Sequence, residues 1–134
     1  MTRQRLPSSS VKERVTEETI ASVQRFCEAF NRHDLDAVMA TVTDDCVLEG
    51  LTPYPDGTRY EGHAAVKARW EQVFHAYPDL RYETEEMFAV GDRWIFRWVG
   101  HRTDKDGKLV HYRGIDVLRV RDRKVAEKLV YTKR

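Results

Sequence analysis

Asp116 is the side chain in this sequence best placed to do chemistry. It stands inside Tyr112-Arg113-Gly114-Ile115-Asp116-Val117-Leu118-Arg119-Val120. Alternate residues of an extended strand share a face, so Asp116 shares its own with Tyr112, Gly114, Leu118 and Val120. A carboxylate among such neighbours meets a low dielectric, where an unpaired charge is costly. Such an aspartate can act as an acid, as a base, or as a neutral hydrogen-bond donor to a developing oxyanion. The competing reading is a plain ion pair with an arginine. If Asp106-Gly107 forms a two-residue hairpin turn, the register sets Arg97 directly opposite Asp116. The two readings are compatible, because an arginine can orient a working carboxylate or bind an oxyanion. A bulge would separate them.

Other residues are weaker candidates. Glu49 ends an early apolar run beside Gly50, and reads either as a second carboxylate at a pocket mouth or as a solvated strand end. Trp94, Phe96 and Trp98 alternate on one face of a strand, as core or as a stacking wall for a ligand. Phe26, Tyr54, Trp70, Trp98 and Tyr131 are the candidates to shape and bind in a pocket. The five histidines, at positions 33, 63, 75, 101 and 111, show no HExxH or other metal spacing. Cys27 and Cys46 form no CxxC and read as buried, reduced thiols. The chain carries no GxSxG, no phosphate-cradling glycine loop and no nucleotide fingerprint. Neither a metal nor another cofactor is expected.

The elements that must hold these residues can be read from periodicity. Residues 1–14 are polar, with Pro7 and a run of serines, and read as a flexible tail before a single domain over 15–134. Thr16 is a plausible cap for a helix whose stripe is Ile20, Val23, Phe26, Cys27 and Phe30. Asp34 caps a short second helix with Leu35, Val38 and Met39. A short strand follows at Cys46-Val47-Leu48-Glu49. The segment from Leu51 to Gly62 holds too many turn formers for an element and reads as a loop. A third helix runs from about His63 to Ala76, with Val66, Trp70, Val73 and Phe74 inward and Pro78 after its end. Strands are expected near 81–90, 93–104, 109–121 and 124–132, with turns at Gly91-Asp92, Asp106-Gly107 and Asp122-Arg123. Helices followed by a meander predict an α+β domain with its helices on one face of the sheet.

Size and charge narrow the function. A chain of 134 residues can bury roughly two thirds of its unfolded surface without disulfide or metal. Its 23 basic and 22 acidic residues leave a net charge of +1, which gives no field for nucleic acid or an anionic membrane. No apolar run approaches a membrane span, and MTRQRLPSSS has no hydrophobic core behind it. A cytoplasmic protein with a small-molecule partner is the expectation.

Three segments resemble those of a known family. Phe26-Cys27-Glu28-Ala29-Phe30-Asn31-Arg32-His33-Asp34-Leu35-Asp36-Ala37-Val38 with Thr43-Asp44-Asp45 is similar to the opening of SnoaL-like proteins of the nuclear transport factor 2-like superfamily. So are Tyr60-Glu61-Gly62-His63-Ala64-Ala65-Val66 and the stretch from Gly114 to Val125. The resemblance covers about residues 16–132. It implies a cone-shaped, curved antiparallel sheet with three N-terminal helices on its concave face, a cystatin-like α+β roll. It also implies a deep apolar cavity and a homodimer formed through the outer sheet. The superfamily hosts isomerases, cyclases, hydrolases, dehydratases and non-enzymes. In ketosteroid isomerase the segment similar to Ile115–Arg119 carries the oxyanion-hole aspartate, which Asp116 matches. The isomerase's tyrosine falls on Phe26 and its base on Gly50. In limonene-type epoxide hydrolases the arginine partner falls on Gly114 and the water-activating aspartate near Thr132. Polyketide cyclases of the SnoaL type rely on one aspartate, a demand that Asp116 alone meets. The resemblance thus implies a cofactor-free enzyme for an apolar carbonyl or cyclic compound, with a non-catalytic ligand-binding or dimerisation module as the alternative.

Overall fold

The computed structural model describes residues 7–133, with side chains from Val11 onward. Helix α1 spans Pro7–Asn31. It starts inside the segment read as a tail, with proline in a first turn that needs no N–H from it. Residues 1–6 of that expected tail lie outside the described range. Thr16 therefore sits within the helix and does not cap it. Its hydroxyl donates to the Lys12 carbonyl (2.9 Å) and accepts from the Gly91 N–H (2.8 Å). Thr19, on the same helix face, donates to the Gly91 carbonyl at 2.7 Å. The two threonines thus grip the tip of a hairpin. Helix α2 (Leu35–Ala40) begins at Asp34, whose carboxylate accepts from the Ala37 N–H at 3.1 Å. Helix α3 spans His63–Ala76, and Pro78 follows two residues on, where the helix could not continue.

Among the described residues six strands form one curved sheet in the order β2-β1-β6-β5-β4-β3. They are β1 (Val42–Glu49), β2 (Arg59–Glu61), β3 (Arg81–Val90), β4 (Arg93–Thr103), β5 (Leu109–Arg121) and β6 (Lys124–Thr132). The expected meander β3–β6 is present and antiparallel. Two features differ from the sequence reading. β2 lies within the expected loop, and at three residues it is too short to show a periodic pattern. The sheet is also mixed, because β1 pairs in parallel with β6. A hairpin forces antiparallel neighbours, but β1 and β6 are joined by most of the domain, so nothing local fixes their relative direction.

Register decides what the concave face carries. The β4–β5 loop is closed by the Asp104 N–H donating to the Lys108 carbonyl at 2.8 Å. It therefore holds three residues, with Gly107 at φ 82°, the geometry of a hairpin ending in a glycine bulge. Phe96, and not Arg97, stands opposite Asp116. A one-residue change of register sends a side chain to the other face. Further irregularities lie at Glu85 in β3, at Ala126 in β6 and between Val42 and Val47 in β1. The core fills the space between the helices and the concave face: Val23, Phe26 and Phe30 from α1, Trp70 from α3, and Trp94, Trp98 and Leu118 from the sheet. Each such side chain contributes roughly 1.5–3 kcal/mol by leaving water.

Candidate functional site

Asp116 lies on the concave face of β5 and is 4% exposed. Its Oδ2 is 3.3 Å from the Lys128 ammonium, and the two side chains are 6% and 12% exposed. Its Oδ1 is buried with no hydrogen-bond partner among the described residues. On β6 Lys128 stands opposite Leu118 and Val130 opposite Asp116, so the pair is a diagonal contact across neighbouring strands. The Ala126 irregularity makes the contact. Extending the tight Arg121–Lys124 turn regularly would put Leu129, not Val130, opposite Asp116, and Lys128 would face outward.

Helix α1 covers this pair. Phe26, Cys27, Phe30 and Asn31 from the helix meet Tyr82, Thr84 and Phe96 from the sheet around a small cavity that Asp116 and Lys128 also line. Asn31 and Thr84 are exposed and form its outer edge. The free space measures about 30 Å³, room for a water molecule. Burial, reinforced by Asp116, pushes the Cys27 thiol up to about 12, which keeps it from acting as a thiolate near neutral pH. Among the described residues no three His, Cys, Asp or Glu side chains gather to hold a metal ion.

The other sequence candidates fall in three places. Phe26 lines the cavity. Trp70 packs behind it, ring centroids 5.4 Å apart, and Trp98 is buried in the core against Tyr82 and Tyr112. Arg97 is on the outer face, bonded to Glu85 and Glu86 at 3.3 and 3.1 Å, so the expected Arg97–Asp116 contact is replaced by Lys128–Asp116. Glu49 pairs with Leu129 on β6 while its neighbour Leu48 is the buried one, which turns Glu49 outward, away from Asp116. Tyr131 is likewise turned outward and is 56% exposed. Tyr54 is 43% exposed in the loop before β2 and lines two wider clefts, not the cavity. Lys128, Thr84 and Asn31 were not legible as site residues. The alternation of Val125, Glu127, Leu129 and Tyr131 suggests one face of β6, and only the irregularity at Ala126 reverses it.

Comparison with known proteins places this geometry. A model of the SnoaL-like domain matches residues 23–128. No curated protein matches the chain. Among solved structures, an NTF2-like protein of unknown function from Mesorhizobium loti is 33% identical, covering 89% of this chain and 93% of that one at a TM-score of 0.75. A candidate polyketide cyclase from Xanthomonas campestris pv. campestris is 24% identical over 89% and 93% of the two chains, with a TM-score of 0.77. AclR, a candidate hydroxylase from Streptomyces galilaeus, is 24% identical over 88% and 80%, with a TM-score of 0.72. The last two likenesses are likenesses of fold.

Proposed function

We infer the function from one premise: this chain belongs to the SnoaL-like domain family of the nuclear transport factor 2-like superfamily. That fold serves small-molecule chemistry of the cyclase and isomerase kind. We propose a cofactor-free enzyme using acid–base chemistry on a small apolar compound bearing a carbonyl or a ring. The observation that carries the reading is Asp116, a buried carboxylate with one oxygen paired to Lys128 and the other, in a cavity wall, without a partner among the described residues. In this reading Oδ1 exchanges a proton with the substrate. The Lys128 ammonium, 3.3 Å away, stabilises negative charge as it develops on a substrate oxygen. A single proton-transfer group of this kind contributes ~10²–10⁴ in rate. Phe26 contacts the substrate, with Trp70 and Trp98 setting the shape behind it. A compound larger than water enters by displacing side chains at the edge formed by Asn31 and Thr84. Arg97, Glu49 and Tyr131 lie on the other face and have no part in the proton transfer.

One observation favours a second reading, a non-catalytic ligand-binding or dimerisation module: the cavity of about 30 Å³ is nearly filled by the protein itself. The outer sheet face exposes Phe88, Val90 and Tyr131, which supports pairing of two copies there. Cyclic ketones incubated in heavy water distinguish the readings. The enzyme incorporates deuterium next to the carbonyl, read by mass spectrometry, and Asp116→Asn slows this ~10²–10⁴-fold while circular dichroism shows the fold retained. Equal rates in the two proteins overturn the catalytic assignment. Binding without any incorporation selects the second reading.

A further inference from the structure

The concave face continues past Trp98 toward the loop end of the sheet, and what it carries there differs from the Asp116 cavity. Two glycines shape the boundary. A Cβ on Gly114 would lie 2.5 Å from the Trp98 ring, and one on Gly100 would lie 2.9 Å from the Tyr112 ring and 3.1 Å from Tyr82. Without side chains at these positions, Trp98, Tyr82 and Tyr112 fold down across the strands. The two phenol oxygens meet at 3.3 Å. Burial raises both phenols above their ordinary range, so this bridge is a neutral partition. Tyr82 lines the inner cavity on one side and a cleft of about 520 Å³ on the other, a size within the ~300–1,000 Å³ of small-molecule sites.

That cleft is aromatic and cationic. Tyr54, Tyr77, Tyr82 and Tyr112 line it, together with Arg69 from α3 and Arg102 from β4. The Arg102 guanidinium lies over the Tyr77 ring at 4.4 Å and 5.9 Å from the Tyr112 ring. Arg59, Arg93, Arg97, Arg113 and Arg119 each hold a carboxylate. Among the described residues Arg69 and Arg102 are in no ion pair, as Arg14, Arg25, Arg32 and Arg81 are in none. Arg69 lies over the Tyr60 ring at 5.8 Å, and the Asp79 carboxylate, held by Thr103, is near enough to Arg102 to feel its charge. Lys133 adds a third positive charge to the lining, against the single carboxylate of Asp104. That carboxylate is turned to its own loop, accepting from the Asp106 and Lys108 N–H groups at 2.8 and 2.9 Å. In the same wall the Thr132 hydroxyl is buried with no partner among the described residues.

We propose that this cleft binds a planar aromatic carboxylate. The ring stacks among Tyr77, Tyr82 and Tyr112, and the carboxylate takes the Arg102 guanidinium, with Arg69 and Thr132 elsewhere in the same lining. A guanidinium presents parallel N–H donors that match the two carboxylate oxygens, and the tyrosine faces supply ring contact at low entropic cost. The assignment stands apart from acid–base chemistry at Asp116 and holds whether or not that residue is catalytic.

Naphthoate and its neutral amide, naphthamide, titrated into the full chain and followed by NMR, test the site. Naphthoate should shift the Tyr82, Tyr112 and Arg102 signals and bind about tenfold or more tightly than the amide. Added salt should weaken naphthoate and leave the amide unchanged. Arg102→Gln should abolish the preference, whereas Asp116→Asn and Arg97→Gln should keep it. Arg69→Gln should reduce it, and serves with the salt series if Arg102→Gln does not fold. Equal binding of acid and amide, or a preference that survives loss of these arginines, overturns the proposal. Loss of the preference in Asp116→Asn overturns it too, by moving the ligand to the inner cavity.

Discussion

Two charge clusters sit on opposite faces of the central strands, each pairing carboxylates with cations, in different surroundings. On the concave face Asp116 and Lys128 form a lone buried pair under α1. On the outer face Glu85 is shared by Arg97 and Arg113, with Glu86 on Arg97, and the two arginines are 46% and 48% exposed. Water screens the outer cluster and leaves each member replaceable. Little of it reaches the inner pair, where each charge depends on the other. Attraction between unlike charges is common to both, so what separates the two clusters is how much solvent reaches them.

Removing one inner charge should have the largest effect. Lys128→Met leaves Asp116 buried and unpaired, and urea unfolding should show a loss of ~3–5 kcal/mol. Replacing both, as Asp116→Leu with Lys128→Met, should recover most of that loss. A double variant no more stable than the single one would mean that packing, and not charge, dominates the site. Outside, Arg97→Ala should leave the same unfolding curve close to that of the parent, because Glu85 keeps Arg113 and water takes up the rest. The smallest effect is an acid one. The Arg113 guanidinium holds the Glu85 carboxyl below its ordinary 4.5. A lowered folded value contributes stability above the ordinary range, and that contribution disappears as pH falls through the lowered value. Arg113→Ala should flatten this part of the acid unfolding profile. An unchanged profile would place the acid sensitivity elsewhere.

Much of the fold could be read from residue patterns, because each helix shows its own stripe and the last four strands announce their turns. The stripe Val23-Phe26-Phe30 names the face of α1 that covers the site, and the apolar neighbours of Asp116 mark it as an inward acid. Its partner was hidden by single-residue insertions that leave no mark on hydrophobic pattern. A three-residue loop at 105–107 in place of a two-residue turn sends Arg97 outward. The extra residue at Glu85 puts two consecutive glutamates on the outer face to receive Arg97. The one at Ala126 brings Lys128 in. Position along a strand was legible, whereas facing was not, since facing depends on the sum of every insertion between two partners. Residues 7–14 lie in α1 for a reason the pattern does not show: a proline, serines and charged residues in sequence carry no apolar stripe from which a helix could be read.

The parallel pairing of β1 with β6 has a consequence for how the chain comes together. β1 ends at Glu49, yet one of its two edges stays unsatisfied until the final nine-residue strand has been made. During synthesis the segment before β3 can form helices and the short β1–β2 ladder, but the sheet closes only when β6 has been made. Assembly therefore waits on a long-range zipper, and topologies of that kind fold slowly for their size. Loss of β6 would unseat β1 and take Lys128 with it, so removing that strand should be felt some eighty residues earlier in the chain.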